Sequence, residues 1–339
     1  MTQQAHSAGI LPCQSIEGLI GDSAITTLTP FDPDQVQPAS LDLRLGERVW
    51  RVRASFLPGR RAVAERVKDV AMHQLDLTKG AVLEKGCVYI AELQEGLRLP
   101  PGVCARANPK SSTGRVDVFV RLLTDHSSSF DDVSDAYSGP MYVEIAPQTF
   151  SVLVRTGTRL NQLRLKRGEP AKLSTRNVGV DLTGDLAGFR ARRHAPVVDL
   201  DLEDGHDPRD YWQPLEPRGG ELLLDPGEFY ILASKEAIEI PVLEAAEMTP
   251  IDPAVGEFRV HYAGFFDPGF GTEEAAGQGS KAVLEVRSHE TPFLLEDGQT
   301  VARLVYEPLT DRPVRLYGQD GSHYQRQGLK LSKHFRAWG

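Results

Sequence analysis

The chain has 339 residues, of which 40% are hydrophobic and 25% charged, a composition typical of a globular protein with room for two domains. The formal net charge is −9 and no long run of Lys or Arg occurs, so a nucleic-acid polymer is not expected as a partner. The three cysteines, Cys13, Cys87 and Cys104, form no CxxC pair. The N-terminus lacks a leader-like segment and no apolar run is long enough to span a membrane, so we expect a cytoplasmic protein.

Short segments of alternating polarity, separated by Gly and Pro, run through the chain. Residues 15–20 favour a short helix with Ser15 as its N-cap. Residues 41–45 alternate apolar and polar side chains, as a half-buried strand does. Residues 244–248 are a second, weaker helix candidate. This pattern predicts a mainly β fold with a few short helices.

An internal repeat is the most informative feature of the sequence. Three blocks recur at one constant offset of 141 residues: 79–90 with 220–231, 142–144 with 283–285, and 152–157 with 293–298. A constant offset in three separated blocks indicates a tandem duplication.

The repeat predicts one domain over residues 1–172 and a second over residues 173–339, below called the first half and the second half. Residues 174–179 have the composition of a linker. Residues 202–220 are polar and rich in Asp, Pro and Gly, which predicts a surface loop.

A basic, hydroxyl-rich segment lies in the first half only. Asn108-Pro-Lys-Ser-Ser-Thr-Gly-Arg115 can offer main-chain N–H groups, hydroxyls and two cations to a polyphosphate, although it lacks P-loop spacing. The alternative is an ordinary polar turn. At the same offset the second half has Thr249-Pro-Ile-Asp-Pro-Ala-Val-Gly256, without Lys, Arg or a Ser pair. This difference favours a phosphate loop at 110–115, with one copy holding the ligand.

A carboxylate in an apolar strand context is the second candidate. Glu144 follows Tyr142 and Val143, and a charge buried there is costly unless it is paired or useful. The functional interpretation is a general base that activates water; the alternative is a Glu on the wet face of the strand. The second half offers residues 267–271 and Glu285, but the constant offset places His126, not Asp135, opposite Asp267.

The C-terminal residues 317–328 mix aromatic, basic and amide groups suited to a lid over phosphates and a base, unless they form a frayed tail. A zinc deaminase would need HxE followed by PCxxC, which the sequence lacks. Residues 269–271 begin a dinucleotide-binding fingerprint but do not complete it.

With these motifs the chain resembles the dCTP deaminases, relatives of the trimeric dUTPases, and especially their tandem members. Residues 37–46 are similar to the early strand motif of the family, and 110–115 resemble its Arg-Ser-Ser-x-x-Arg loop. Residues 135–144 resemble its Asp-Pro-Gly-x-x-Gly-x-x-x-Glu segment, and 317–327 its C-terminal lid. Departures are Lys110 for Arg, His323 for Lys, Ala136 and Tyr137 for Pro and Gly, and about seven extra residues before Asp135.

The resemblance implies two tandem dUTPase-like distorted β-barrel (β-clip) domains, with nucleotide sites between neighbouring barrels. It also implies site roles: Glu144 as catalytic base, Lys110, Ser111, Ser112 and Arg115 on the triphosphate, Asp135, Tyr142 and Val143 on the sugar and base, and Tyr317, His323 and Gln327 as the lid. The first half would then carry the loop and the catalytic Glu, and the second half a degenerate loop and the lid. The implied partners are dCTP with Mg²⁺ on its triphosphate, without zinc, and further copies of the chain in a homo-oligomer.

The expected reaction is the zinc-independent hydrolytic deamination of dCTP to dUTP and ammonia, which supplies dUMP and dTTP synthesis. Two alternatives stay open. One is a dUTP diphosphatase, or a bifunctional enzyme that makes dUMP, because one fold can support both chemistries. The other is a non-catalytic nucleotide-binding module.

Overall fold

The computed structural model describes residues 7–170, 173–251, 258–261, 264–288, 291–319 and 324–339, with the backbone alone at 258–261. Its α-helices are α1 (Cys13–Gly21), α2 (Val63–Val70), α3 (Ser111–Gly114) and α4 (Pro208–Tyr211), with a 3-10 helix at Glu273–Ala275. None of the described helices is long and apolar enough to cross a membrane.

Strands make up most of the regular structure. Those of the first half are β1 (Gly9–Ile10), β2 (Ile25–Thr27), β3 (Val36–Gln37), β4 (Ser40–Val52), β5 (Ala71–Asp76), β6 (Ala81–Leu83), β7 (Val88–Arg98), β8 (Val103–Pro109), β9 (Val118–Thr124), β10 (Asp132–Val133), β11 (Ser138–Pro147), β12 (Val152–Val154) and β13 (Arg159–Arg167). Those of the second half are β14 (Ser174–Gly179), β15 (Gly188–Ala191), β16 (Val198–Asp199), β17 (Trp212–Leu215), β18 (Glu221–Leu224), β19 (Phe229–Ile238), β20 (Glu244–Thr249), β21 (Phe258–His261), β22 (Phe265–Phe266), β23 (Ser280–Ser288), β24 (Phe293–Glu296) and β25 (Thr300–Pro308). The predicted mainly β fold with few short helices is confirmed.

The first half curls one sheet into a barrel-like shape. Its strand order is β10-β8-β13-β4-β7-β11-β9, with shorter strands attached. The long strand β4 pairs with β13 at its start and with β7 and β5 at its end, and its pairing with β7 shifts register between Leu45 and Val49. Such an irregularity bends a strand, and glycine at position 46 suits the bend because a Cβ there would lie 3.1 Å from the main-chain carbonyl oxygen of Glu92.

The second half repeats this architecture, which confirms the tandem fold. Strands β19, β20, β24 and β25 begin 141 positions after β7, β8, β12 and β13. In the first half the single strand β4 pairs with both β13 and β7. In the second half two strands share this role: β14 pairs with β25, the counterpart of β13, and β15 pairs with β19, the counterpart of β7. The outcome is two smaller sheets, β14-β25-β20-β22 and β17-β15-β19-β23-β21, instead of one.

The two halves share a core rather than meeting at a thin interface. Strand β16 of the second half adds a parallel edge to β12 of the first. Phe150 packs edge-on against Tyr211 and Trp212, with ring centroids 5.7 and 5.4 Å apart, and the C-terminal Phe335 joins the same group. Burying this many aromatic rings holds the halves in one relative position, and the position sets the site described below.

Several local expectations were wrong. The helix predicted at 15–20 exists as α1, but Pro12 rather than Ser15 occupies its N-cap. Residues 244–248 form β20, because the edge that β25 offers outweighs a weak helical pattern. The predicted linker at 174–179 is β14 for the same reason. Residues 202–220 carry α4 and β17, and two of their aromatic side chains are buried in the shared core.

Candidate active site

The basic loop predicted at 110–115 forms the turn between β8 and β9. Its hydroxyl residues make the short helix α3, which Lys110 and Arg115 flank. The Lys110 main-chain N–H donates to the carbonyl of Leu160 on β13 at 2.9 Å, which anchors the loop to that strand. The ammonium group of Lys110 forms an ion pair with the buried carboxylate of Asp42 on β4. The loop therefore presents a fixed backbone with one cation already held in place.

A cavity of about 620 Å³ lies between this loop and the second half. Its first-half wall includes Lys110, Ser111 and Ser112, and its second-half wall includes Asp267 and Tyr317. A nucleoside triphosphate fits a cavity of this size. A smaller cavity of about 30 Å³ continues from it between Ser111, Arg115, Val283, Tyr317, Tyr324 and Gln327.

Beneath the loop lies the carboxyl group of Glu285, which is 1% exposed. Strand β23 carries it two residues after Val283 on the same face, next to the wall of the smaller cavity. A methyl group at Gly114 would lie 3.2 Å from the Cδ of Glu285, so a side chain at this position of the loop would press on the carboxyl group. Among the described residues no donor reaches Oε2 of Glu285.

Burial raises the pKa of Glu285 well above its usual range. The Arg115 guanidinium acts in the opposite direction, and the Asp117 carboxylate adds to the rise. A buried carboxyl group whose pKa is raised is suited to act as a general acid–base catalyst.

The C-terminal segment closes over the loop through Arg115. This guanidinium donates to Oε1 of Gln327 and to the main-chain carbonyl of Lys330, both at 3.0 Å, and lies 3.9 Å above the ring of Tyr324. Ser332 Oγ donates to the carbonyl of Ser112 at 2.8 Å. Residues 324–332 therefore form an ordered cover and not a frayed tail.

Asp267 is held in the cavity wall by a cation from the other half. Arg164 on β13 is 1% exposed and donates to Oδ1 of Asp267 at 3.2 Å. The same guanidinium donates to the carbonyl of Ala246 at 3.1 Å and stacks 3.9 Å from the ring of Phe265. Burial raises the pKa of Asp267, and Arg164 opposes the rise. A buried Asp that is fixed by a bridging Arg can receive a ligand hydroxyl without rearranging.

Sequence and structure comparisons with known proteins agree on one family. The sequence matches the family models for the N-terminal domain of 2′-deoxycytidine 5′-triphosphate deaminase over residues 7–169 and for its C-terminal domain over residues 155–335. The fold matches a crystal structure of 2′-deoxycytidine 5′-triphosphate deaminase from Agrobacterium tumefaciens with a TM-score of 0.85, at 50% identity, covering 90% of this chain and 100% of that chain. The chain belongs to the dCTP deaminase family.

Two curated relatives within this family differ in the product that their names give. A dCTP deaminase, dUMP-forming, from Beutenbergia cavernae is 30% identical over 159 residues, which cover 45% of this chain and 77% of that protein. A dCTP deaminase from Natronomonas pharaonis is 30% identical over 147 residues, 42% of this chain and 71% of that protein. Family membership makes the chain an enzyme, with the predicted dUTPase-like fold.

The structure brings together six of the residues expected from the family resemblance: Lys110, Ser111, Ser112, Arg115, Tyr317 and Gln327. His323 lies outside the described residues, as does most of the segment 249–256. Asp135 is exposed in a turn, Tyr142 packs in a small apolar cluster, and Val143 is in the first-half core. None of these last three lines either cavity.

Glu144 lines neither of the two cavities. It is buried on β11, directly opposite Arg121 on β9, which donates from Nε to Oε1 at 3.0 Å. Arg121 in turn stacks 3.8 Å from Phe130 and donates to Ser55 Oγ at 3.1 Å. The first-half carboxylate is therefore engaged by a cation of its own half, whereas Glu285, its counterpart 141 positions later, faces the loop.

The sequence contained the signal for Glu285 and Asp267. The Asp-Pro-Gly part of the family motif is complete at Asp267-Pro268-Gly269, while the first half has Ala136 and Tyr137 at these positions. Gly269 has φ +92°, where a side chain is strained, and a methyl group there would lie 2.9 Å from the Cβ of Leu316. The intact Asp-Pro-Gly motif thus lies in the half that contributes Asp267 and Glu285, and the basic loop lies in the other half.

Proposed function

We propose that this chain catalyses the hydrolytic deamination of dCTP to dUTP and ammonia at one site built from both halves, with Glu285 as general base and acid. The observation that carries the proposal is the burial of Glu285 directly beneath Gly114 of the phosphate loop. Glu285 thereby takes the role that sequence analysis assigned to Glu144.

The reaction adds water to C4 of cytosine and removes the amino group. Glu285 takes a proton from the water as the water oxygen bonds to C4, and delivers this proton to N3. It then transfers the proton of the new C4 hydroxyl to the amino group, the C4–N bond breaks, and ammonia leaves as the C4 carbonyl forms. The raised pKa of Glu285 suits both the uptake and the release of this proton. No step in this scheme requires zinc, because the carboxylate itself activates the water.

The triphosphate is the remote part of the substrate that positions C4. Lys110, Ser111, Ser112 and Arg115 supply cations, hydroxyls and main-chain N–H groups for it, and Mg²⁺ enters with the triphosphate as part of the substrate. Asp267 lies where it can accept the hydrogen bond of a sugar hydroxyl. Tyr317 and Gln327 cover the bound nucleotide from the C-terminal segment.

Matched substitutions at the two repeat-related carboxylates test the assignment. We expect Glu285→Gln to bind dCTP normally by calorimetry and to lose at least ~100-fold in the rate of ammonia release. Glu144→Gln removes the same charge in the other half and is expected to keep most of the rate. The opposite result, a slow Glu144→Gln and a fast Glu285→Gln, would return the catalytic role to the first half.

A bifunctional enzyme that makes dUMP is the second candidate, favoured by the dUMP-forming relative. Incubation with dCTP and, separately, with dUTP distinguishes the two functions when ammonia and pyrophosphate are assayed in parallel. Pyrophosphate from both substrates identifies the dUMP-forming enzyme, and ammonia without pyrophosphate identifies the simple deaminase. Nucleotide binding without either product would contradict both candidates. A cytoplasmic location and a homo-oligomer stay predictions.

A further inference from the structure

Asp117, two residues after the end of the phosphate loop at Arg115, has two unusual properties. Its backbone has φ +56°, in the left-handed region where residues other than glycine are uncommon. Its side chain is buried, with 3% of the residue exposed. A glycine would relax the backbone, so the carboxylate at this position points to a role for the side chain.

The carboxylate of Asp117 holds Arg287, a residue of the second half. Arg287 Nη2 donates to Oδ2 of Asp117 and, at 2.9 Å, to Oγ1 of Thr149, which itself donates to Oδ2. Asp117 Oδ1 receives no hydrogen bond from the described residues. The bond therefore joins the end of the loop to β23, the strand that carries Glu285.

Arg287 and Glu285 lie two residues apart on β23, so both side chains project from the same face of the sheet. A guanidinium at this spacing can reach a neighbouring carboxylate unless another partner holds it. An ion pair with Arg287 would stabilise the ionised form of Glu285 and weaken it as a proton acceptor.

The first half shows the outcome of such a capture. Glu144, the repeat counterpart of Glu285, is engaged by Arg121 through Nε and Nη2. In the second half the nearby cation Arg287 is instead engaged by Asp117. The arginine thus comes from the facing strand in the first half and from the strand of the carboxylate itself in the second, and the two differ in which acid they bind. Arg287 also donates from Nη1 to the main-chain carbonyl of Gly227.

We propose that Asp117 is a positioning residue for the reaction, which holds Arg287 off Glu285 and places a negative charge beside the catalytic carboxylate. The inference rests on the proposed role of Glu285. The inference adds a first-half residue, Asp117, that influences the protonation of Glu285 in the second half.

The charged groups around Glu285 act consistently with this role. On the packed elements these are Arg115 and Asp117 at the loop and Arg287 on the strand itself, while β21 places His261 opposite Glu285 in register. Burial raises the pKa of Asp117 to about 6, and Arg287 opposes that rise. An ionised Asp117 therefore raises the pKa of Glu285, and its removal lowers that pKa.

The first test is Asp117→Asn, which keeps the shape of the side chain and removes its charge. With dCTP as substrate we expect kcat to fall at least ~10-fold while KM changes less than ~3-fold, as when an interaction of the transition state is lost. The acidic limb of the kcat profile should move down by about one pH unit, because Arg287 then stabilises ionised Glu285. An unchanged kcat and an unchanged limb would overturn the proposal.

The double variant Asp117→Asn with Arg287→Gln separates the positioning role from a structural one. Removing both charges leaves no unpaired buried ion, so this variant is expected to fold even if the single variant does not. Because Arg287 is no longer present to capture Glu285, kcat should recover to within ~3-fold of the wild-type value. A double variant as slow as the single one would contradict the proposal.

Glu307→Gln is the matched control, since it breaks Lys166–Glu307, another ion pair between the halves. It should lower the melting temperature without moving the pH profile. If the proposed role of Glu285 itself is wrong, Glu285→Gln keeps its rate whatever the substitutions at 117 and 287 do. The failure of that role is therefore distinguished from the failure of the proposal for Asp117.

Discussion

Arg164 and Asp267 form a buried ion pair, 3.2 Å long, in which the first half supplies the cation and the second half the acid of the cavity wall. Arg164 also donates to two main-chain carbonyls of the second half, at Ala246 and Phe266. Arg164 therefore stabilises the ionised form of Asp267 and also holds the backbone of the preceding residue, Phe266, in place.

Arg164→Gln should weaken substrate binding more than it slows the chemical step. Without the guanidinium the buried Asp267 takes up a proton, and a lost partner of a buried pair costs about 3–5 kcal/mol of unfolding free energy. We expect KM for dCTP to rise at least ~10-fold, with Arg164→Lys in between because it keeps the charge and loses the planar fork. Steady-state kinetics and urea unfolding measure both effects; an unchanged KM would show that Asp267 does not meet the substrate.

Gly114→Ala should slow the reaction without loosening the fold. The added methyl group would lie 3.2 Å from both Cδ and Oε1 of Glu285, so the buried carboxylate must shift. We expect kcat to fall ~10-fold or more, as small misplacements of a catalytic group do. Gly18→Ala in α1 is the control, because nothing lies within 4 Å of its added methyl group. Equal rates in both variants would contradict contact between the loop and Glu285.

The ring of Tyr324 should matter more than its hydroxyl. The ring stacks on Arg115, and the hydroxyl accepts a hydrogen bond from the main-chain N–H of Lys333 at 3.2 Å. Loss of a cation–π contact of about 0.5–2 kcal/mol in Tyr324→Ala should weaken dCTP binding about 2–30-fold. Tyr324→Phe keeps the ring and should bind within ~2-fold of wild type. Calorimetry with dCTP compares the two, and equal losses would show that the stack is unimportant.

His334 should make the folded state less stable in mild acid. Burial lowers its pKa from 6.5 to about 4, so between these values the unfolded chain binds a proton that the folded chain does not. The free energy of unfolding therefore falls as the pH drops from 6.5 to 4, by up to about 3 kcal/mol from this group.

Urea unfolding of wild type and His334→Asn across this pH range isolates the contribution. Asp117 and Asp131, whose pKa values are raised to about 6 and about 7, act in the opposite direction but are present in both proteins. The stability of the wild type relative to His334→Asn should stay constant above pH 6.5 and fall by up to about 3 kcal/mol between pH 6.5 and 4. Parallel curves would mean that His334 titrates normally in the folded chain.

The sequence was sufficient for the mainly β fold, because that fold depends on local and repeated patterns. The 141-residue offset predicted two similar domains, and residues of the predicted phosphate loop at 110–115 line the cavity, while their phosphate contacts stay a prediction. Strands such as β14 and β20 were missed because their conformation depends on pairing with β25, which is distant in sequence.

The choice between Glu144 and Glu285 could not be made from local pattern alone. Both follow two apolar residues, and both are buried on a central strand. What distinguishes them is their neighbours, Arg121 for one and Gly114 for the other, and these neighbours depend on how the halves pack. The complete Asp-Pro-Gly at 267–269 was the one sequence feature that favoured the second half.

The loop and Glu285 are parts of a single polypeptide, and the shared aromatic core keeps them at a fixed separation. A site divided between separate chains falls apart as its components are diluted below their dissociation constant. Joining the components covalently replaces that bimolecular encounter with an intramolecular one, whose effective concentration does not change with the amount of enzyme. Because one chain contains both the loop and Glu285, their proximity does not depend on the concentration of the protein.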